Sequence, residues 1–180
     1  RGGGGMCSYI TLIVRGEVSG IPAALERRGR KASVIDNPSI RKVLTADETQ
    51  FLTTAAHCDC GTVLGARVQE GGVRDIESEV RRLRKKGWSA AKIDRLLRDQ
   101  QKAREKLGRE PIDSFVFWAN ILNDVLALRG VNGAGLLVHQ YSGSIADEHV
   151  SAQRREIRRG EIEVELPRMR EDDLLFVQSR

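Results

Sequence analysis

Long apolar runs are absent from this chain: no stretch approaches the roughly 20 residues that a membrane helix requires, so no span is expected. Gly-rich phosphate loops are absent as well. Gly61-Thr-Val-Leu-Gly65 and Gly130-Val-Asn-Gly-Ala-Gly135 lack the Lys-Ser/Thr ending, and the second precedes a strand where a dinucleotide fingerprint follows one. There is no nucleophile elbow, no His-Glu-x-x-His and no internal repeat, which removes the spacings that announce a hydrolase or a zinc protease. Cysteine is scarce. Its count of three is odd, which argues against a disulfide framework and leaves free thiols or thiolate ligands. No charged leader with an apolar signal segment follows Met6, so a reducing cytoplasm is the expected compartment.

What is present is enough chain, 180 residues, for one domain with a substantial core, expected over 6–180. Arg1 to Gly5 reads as an expression remnant ahead of Met6, since four glycines cannot offset the entropy of their own ordering. The net charge of +5 is concentrated in one place, because thirteen Lys or Arg face seven Asp or Glu between Arg74 and Glu110. An acidic protein partner or a nucleic acid would be met through that segment.

Cys7-Ser-Tyr-Ile-Thr-Leu-Ile-Val14 is nearly continuous in apolar and β-branched residues, which predicts a central strand. Ile21 to Arg28 predicts a short helix capped by Ser19, with Gly29 beyond its end. A second strand is expected at Lys31 to Ile35, stopped by Asp36-Asn-Pro38, and a third at Gln50 to Ala55. From Gly72 the period lengthens to about 3.6 residues. Val73, Ile76, Val80 and Leu83 form one stripe that Gly87 ends; Ser89 then caps a second helix running to about Leu107, with Trp88 and Ile93 as a hydrophobic staple. A third, more apolar helix at Ile112 to Leu128 should bury Phe115, Trp118, Ile121, Leu122, Val125 and Leu126. The β period returns in Ala134 to Tyr141, more weakly as strand or helix in His149 to Ile157, and in Asp173 to Gln178. The pattern is that of an α+β protein: a mixed or antiparallel sheet, one apolar helix packed on it, and an inserted basic helical hairpin over 73–108.

The candidate chemistry sits in Thr54-Ala-Ala-His-Cys-Asp-Cys-Gly-Thr62. Cys58 and Cys60 are two apart, so an extended backbone sends both side chains to one face. If the first and third strands are neighbours, Cys7 joins them, and three thiolates then need a fourth ligand, from His139 or His57. Zinc suits such a donor set, and three thiolates favour a structural over a catalytic role. The same thiols also fit a thiol-dependent enzyme or redox sensor using Cys58 and Cys60 with a nearby histidine, or inert thiols in a metal-free interaction or inhibitor module. A second polar group, His139, Tyr141, Ser142, Asp147, Glu148 and His149, has acid, base and hydroxyl functions that suit hydrolysis or a hard metal, but no spacing that fixes a mechanism. Arg81, Arg82, Arg84, Lys85 and Lys86 supply the cations for phosphates, although only Trp88 is there to stack on a base. The leading expectation is a small cytoplasmic protein with a structural metal, acting as an interaction module through its basic hairpin.

Overall fold

The computed structural model of the protein describes residues 6–66, 80, 84, 85, 87–95, 98 and 112–179. A six-stranded mixed sheet organises them. Its strands are β1 (Cys7–Gly16), β2 (Ser33–Ile35), β3 (Glu48–Leu52), β4 (Val131–Tyr141), β5 (Gln153–Ile157) and β6 (Asp173–Gln178), in the spatial order β2-β3-β1-β4-β6-β5. Every pairing is antiparallel except that of β5 with β6. The fold class is therefore the expected α+β, with a mixed sheet.

The apolar runs explain the order. Ile10 through Val14 are buried without alternation, as are Ala134 through Val138, because β1 and β4 sit side by side in the middle of the sheet with a packed layer on each face. On the first face Ile10, Leu12, Val14, Leu136, Val138, Leu175 and Val177 meet the helices α1 (Ile21–Glu26) and α3 (Phe115–Leu126). Trp118, Ile121, Leu122, Val125 and Leu126 of α3 are buried as its period predicts, while Phe115 is half-buried. This helix starts later than expected because Ser114 caps it, its Oγ accepting from the Phe117 amide. On the second face Ile13, Leu137, Leu174 and Phe176 pack with Ile40 of α2 (Pro38–Arg41) and with Val150. Gly133 and Gly135 of β4 are needed beneath Phe176, since a Cβ at either position would come within 2.7 or 2.9 Å of its ring.

Several expectations change. Ser19 does not cap α1; its amide and that of Val18 donate to Glu17 Oε1 instead. The third strand ends at Leu52, not Ala55, and the weak pattern before Ile157 resolves into the edge strand β5. Residues 158–172, which carried no expectation, hold α4 (Ile162–Glu165) between two 3₁₀ turns, the crossover that lets β5 and β6 run parallel. Ser89 does cap the following turn, accepting from the Lys92 amide, and Gly87 takes a positive φ of 77° where the preceding helical residues stop. The remainder of the expected hairpin over 73–108 lies largely outside the described residues.

Asp36-Asn-Pro38, read as a stop, is the start of α2. Asn37 is fully buried: its Oδ1 accepts from the Ser39 and Ile40 amides, and its Nδ2 donates to the carbonyls of Ile145 and Glu148. One side chain thus caps a helix and anchors the loop between β4 and β5. Asn37→Ala is expected to cost about 2–3 kcal/mol, a lost cap plus buried carbonyls left without donors, read as a lower urea midpoint at unchanged m-value.

Candidate metal centre

Beyond Leu52 the chain keeps following β1. The Thr53 amide donates to the Ile10 carbonyl and the Asp59 amide to the Ser8 carbonyl, so 53–60 runs beside the beginning of the first strand. Asp59 points into the protein, where it is almost completely buried. Its Oδ2 accepts from the Ile10 amide at 2.9 Å and from Thr54 Oγ1 at 2.6 Å, and its Oδ1 forms an ion pair with Arg30. The Arg30 guanidinium lies over the Trp118 ring, 4.8 Å from its centroid. Behind Asp59 the turn closes tightly: Thr62 Oγ1 donates to the Asp59 carbonyl, and Gly65 passes so close to that carbonyl that a Cβ would collide with it.

With Asp59 fixed inward, Cys58 and Cys60 are held beside Cys7. The three sulfurs lie within 4.8 Å of one another, each in a half-buried residue, and could hold a metal ion. The tetrahedral zinc–thiolate bond of about 2.3 Å implies sulfur separations of roughly 3.8 Å, so the donors need only close slightly on an ion. The Ser8 amide donates to Cys60 Sγ at 3.2 Å, the kind of outer contact that stabilises a ligating thiolate. Burial pushes the Cys58 thiol up to about 11, and the crowding sulfurs of Cys60 and Cys7 add to that against a lowering bond from the Cys60 amide. A nucleophilic thiol needs the opposite shift.

The two histidines expected as fourth ligands are placed differently. His57 is exposed, and its backbone carbonyl accepts from the Tyr9 hydroxyl at 3.2 Å. His139 stands opposite Tyr9, and Tyr141 opposite Cys7, so all four side chains share the second face at one end of the sheet. The His139 ring does not join the sulfurs. Its Nδ1 is 2.6 Å from Asp172 Oδ1 and 3.7 Å from Glu171 Oε1, and its Nε2 faces Glu148 Oε1 at 3.9 Å. Burial opposes its charge most, yet the Asp172 bond and the three carboxylates together raise its pKa above the ordinary histidine value.

No protein-family model matches the chain, and neither do the curated proteins or the solved structures compared with it.

Arg30 and Thr54, which hold Asp59 in place, carried no sequence signal as site residues. Glu171 and Asp172 were likewise unremarkable in a polar run. Of the cations expected to meet phosphates, Arg84 and Lys85 are exposed, whereas Arg81, Arg82 and Lys86 lie outside the described residues. Lys92 Nζ covers the Trp88 ring at 4.0 Å, occupying one face that a base would stack on. A cleft of about 530 Å³ is lined by Arg28, Arg30, Asp113 and Phe117. Its two arginines are already paired, with Asp124 and Asp59, and so offer little to an anion. No helix among the described residues is long and apolar enough to cross a membrane.

Proposed function

We propose that this protein is a metal-binding protein in which Cys7, Cys58 and Cys60 hold one zinc ion as a structural clamp between β1 and the segment that follows β3. The fourth position is taken by His57, which stands next to Cys58 and is free of the carboxylates that engage His139, or by solvent. The supporting observation is the convergence of three thiols from segments distant in sequence, with an amide already donating to one of them. Three thiolates place so much negative charge on zinc that it is a poor activator of water, which is why the role is structural. The exposed basic surface around Arg84 and Lys85 is then the part that meets an acidic protein partner in the cytoplasm.

The first test is metal analysis of protein purified without chelators or affinity metals, paired with titration of its thiols in the native state. About one zinc per chain with masked thiols is expected; no metal with three freely reacting thiols would sink the reading. Cys7→Ser and Cys58→Ser should each abolish stoichiometric binding. Chelation should lower stability by about 2.7 kcal/mol when the free metal had been present at one hundred times its dissociation constant. Co²⁺ substitution should give an intense thiolate charge-transfer band in wild type, and His57→Ala should alter its ligand-field spectrum if the imidazole is a ligand.

A further inference from the structure

The sulfur cluster leaves His139 unused, and the surroundings of that ring are those of a second site. His139 projects from β4 into a ring of carboxylates supplied by two other segments: Glu171 and Asp172 from the turn before β6, and Glu148 from the loop after β4. Donor atoms of His139, Glu171 and Asp172 all lie within 4.8 Å of one another. Each acid is held from behind: the Gln140 amide donates to Glu171, the Ser151 amide to Asp172, and the Ser142 and Gly143 amides to Glu148.

Two observations say that this group lacks a cation. Charge is the first. Among the described residues no Lys or Arg pairs with Glu148, Glu171 or Asp172, so three carboxylates face at most one imidazolium. The second is the ring's other nitrogen. His139 is 8% exposed, and its Nε2 is buried with no hydrogen-bond partner. With the ring neutral and its Nδ1 proton given to Asp172, Nε2 presents a lone pair toward a Glu148 oxygen 3.9 Å away, two acceptors with nothing between them. With Nε2 protonated, the same gap is too long for a hydrogen bond.

We infer that His139, Glu171 and Asp172 form a divalent-cation site, separate from the three cysteines, with Glu148 as the carboxylate behind the ligating ring. The ion replaces the proton between Nδ1 and Asp172, the ring proton moves to Nε2, and Glu148 closes from its 3.9 Å separation to accept that N–H, as the outer carboxylate of a ligating histidine does. One imidazole and two carboxylates suit Mn²⁺ and the borderline divalent ions; thiolates do not suit Mn²⁺, so the two sites separate by metal type. This assignment does not depend on the zinc reading.

Mn²⁺ is therefore the probe. Titration of the full-length, chelator-treated protein, followed by the loss of the free-ion electron paramagnetic resonance signal, should show one site. Mn²⁺ should broaden the His139 ring resonances in nuclear magnetic resonance spectra of the same sample. Binding should persist in Cys58→Ser, weaken roughly 10–100-fold in Glu148→Gln, and disappear in Glu171→Gln/Asp172→Asn. Should those variants fail to fold, persistence of the His139 broadening in Cys58→Ser still decides. Absence of Mn²⁺ binding, binding without broadening of His139, or full retention in a folded Glu171→Gln/Asp172→Asn protein would each overturn the assignment. Loss of binding in Cys58→Ser would do so too, by placing the ion on the sulfurs.

Discussion

Glu48→Gln is expected to lower the unfolding free energy by roughly 3–5 kcal/mol, the cost of removing a fully buried counter-ion from two partly buried arginines. The Glu48 side chain has no solvent exposure. Arg154 grips it with both terminal nitrogens, at 2.7 and 2.9 Å, while Arg15 reaches Oε1 at 2.8 Å and the Thr45 amide donates to Oε2. Both guanidiniums also lie over the Phe176 ring, 5.0 and 3.9 Å from its centroid. The network thereby ties the edge strand β5 across the second face to β3, with three strands between them in the sheet. Burial, the strongest single influence, works to raise the Glu48 pKa, but the Arg154 bond, the Thr45 amide and the two arginine charges outweigh it and hold the carboxyl below its ordinary 4.5. A lowered folded-state value means the stabilisation is complete above the ordinary pKa and fades as pH falls through the folded one. Urea titrations from pH 6 to pH 3 should therefore show the gap between wild type and Glu48→Gln narrowing in acid. A gap under 1 kcal/mol at pH 6 would mean that the network does not carry the face.

The strands that organise the sheet are those whose sequence signal was strongest. β1 and β4 are buried on both faces, so their apolar runs leave no alternative assignment, and Asp173 to Gln178 appears with the bounds its pattern indicated. The failures have physical causes. Asn37-Pro38 was a helix start mistaken for a strand stop, although a capping residue followed by proline at the first helical position signals either. Residues 158–172 have no long periodic stretch because their helices are single turns between the parallel strands. For the candidate metal centre, the two-residue spacing of Cys58 and Cys60 was legible, whereas the adjacency of β1 and β3 entered only as a condition that the strand pairing then met. The inward pull on Asp59 was not. Its partner Arg30 precedes it by 29 residues, in a loop whose local pattern has no reason to contain a buried cation.

That pair governs the second large effect. Arg30→Met keeps much of the packing on Trp118 but leaves the Asp59 carboxylate, 1% exposed, without a cation, again at a cost of roughly 3–5 kcal/mol. The Ile10 amide and Thr54 hydroxyl remain, so the carboxylate keeps hydrogen bonds while losing its charge partner. Arg30→Met with Asp59→Asn should recover part of the loss, because both charges are then gone and the amide oxygen still accepts from Ile10. A double-mutant cycle on urea unfolding measures that recovery, and strictly additive costs would mean the pair is not coupled. The consequence for the site follows from position. Asp59 lies between the two cysteines, so a carboxylate driven toward solvent rotates Cys58 and Cys60 away from Cys7. On the proposed zinc reading, metal affinity in Arg30→Met should fall roughly 10–100-fold although no proposed ligand has been touched, and Arg30→Met/Asp59→Asn should regain some of it. If affinity is unchanged while stability drops, the inward anchor supports the fold alone, and the thiols are brought together by the Ser8 and Gly65 contacts on the other side of the turn.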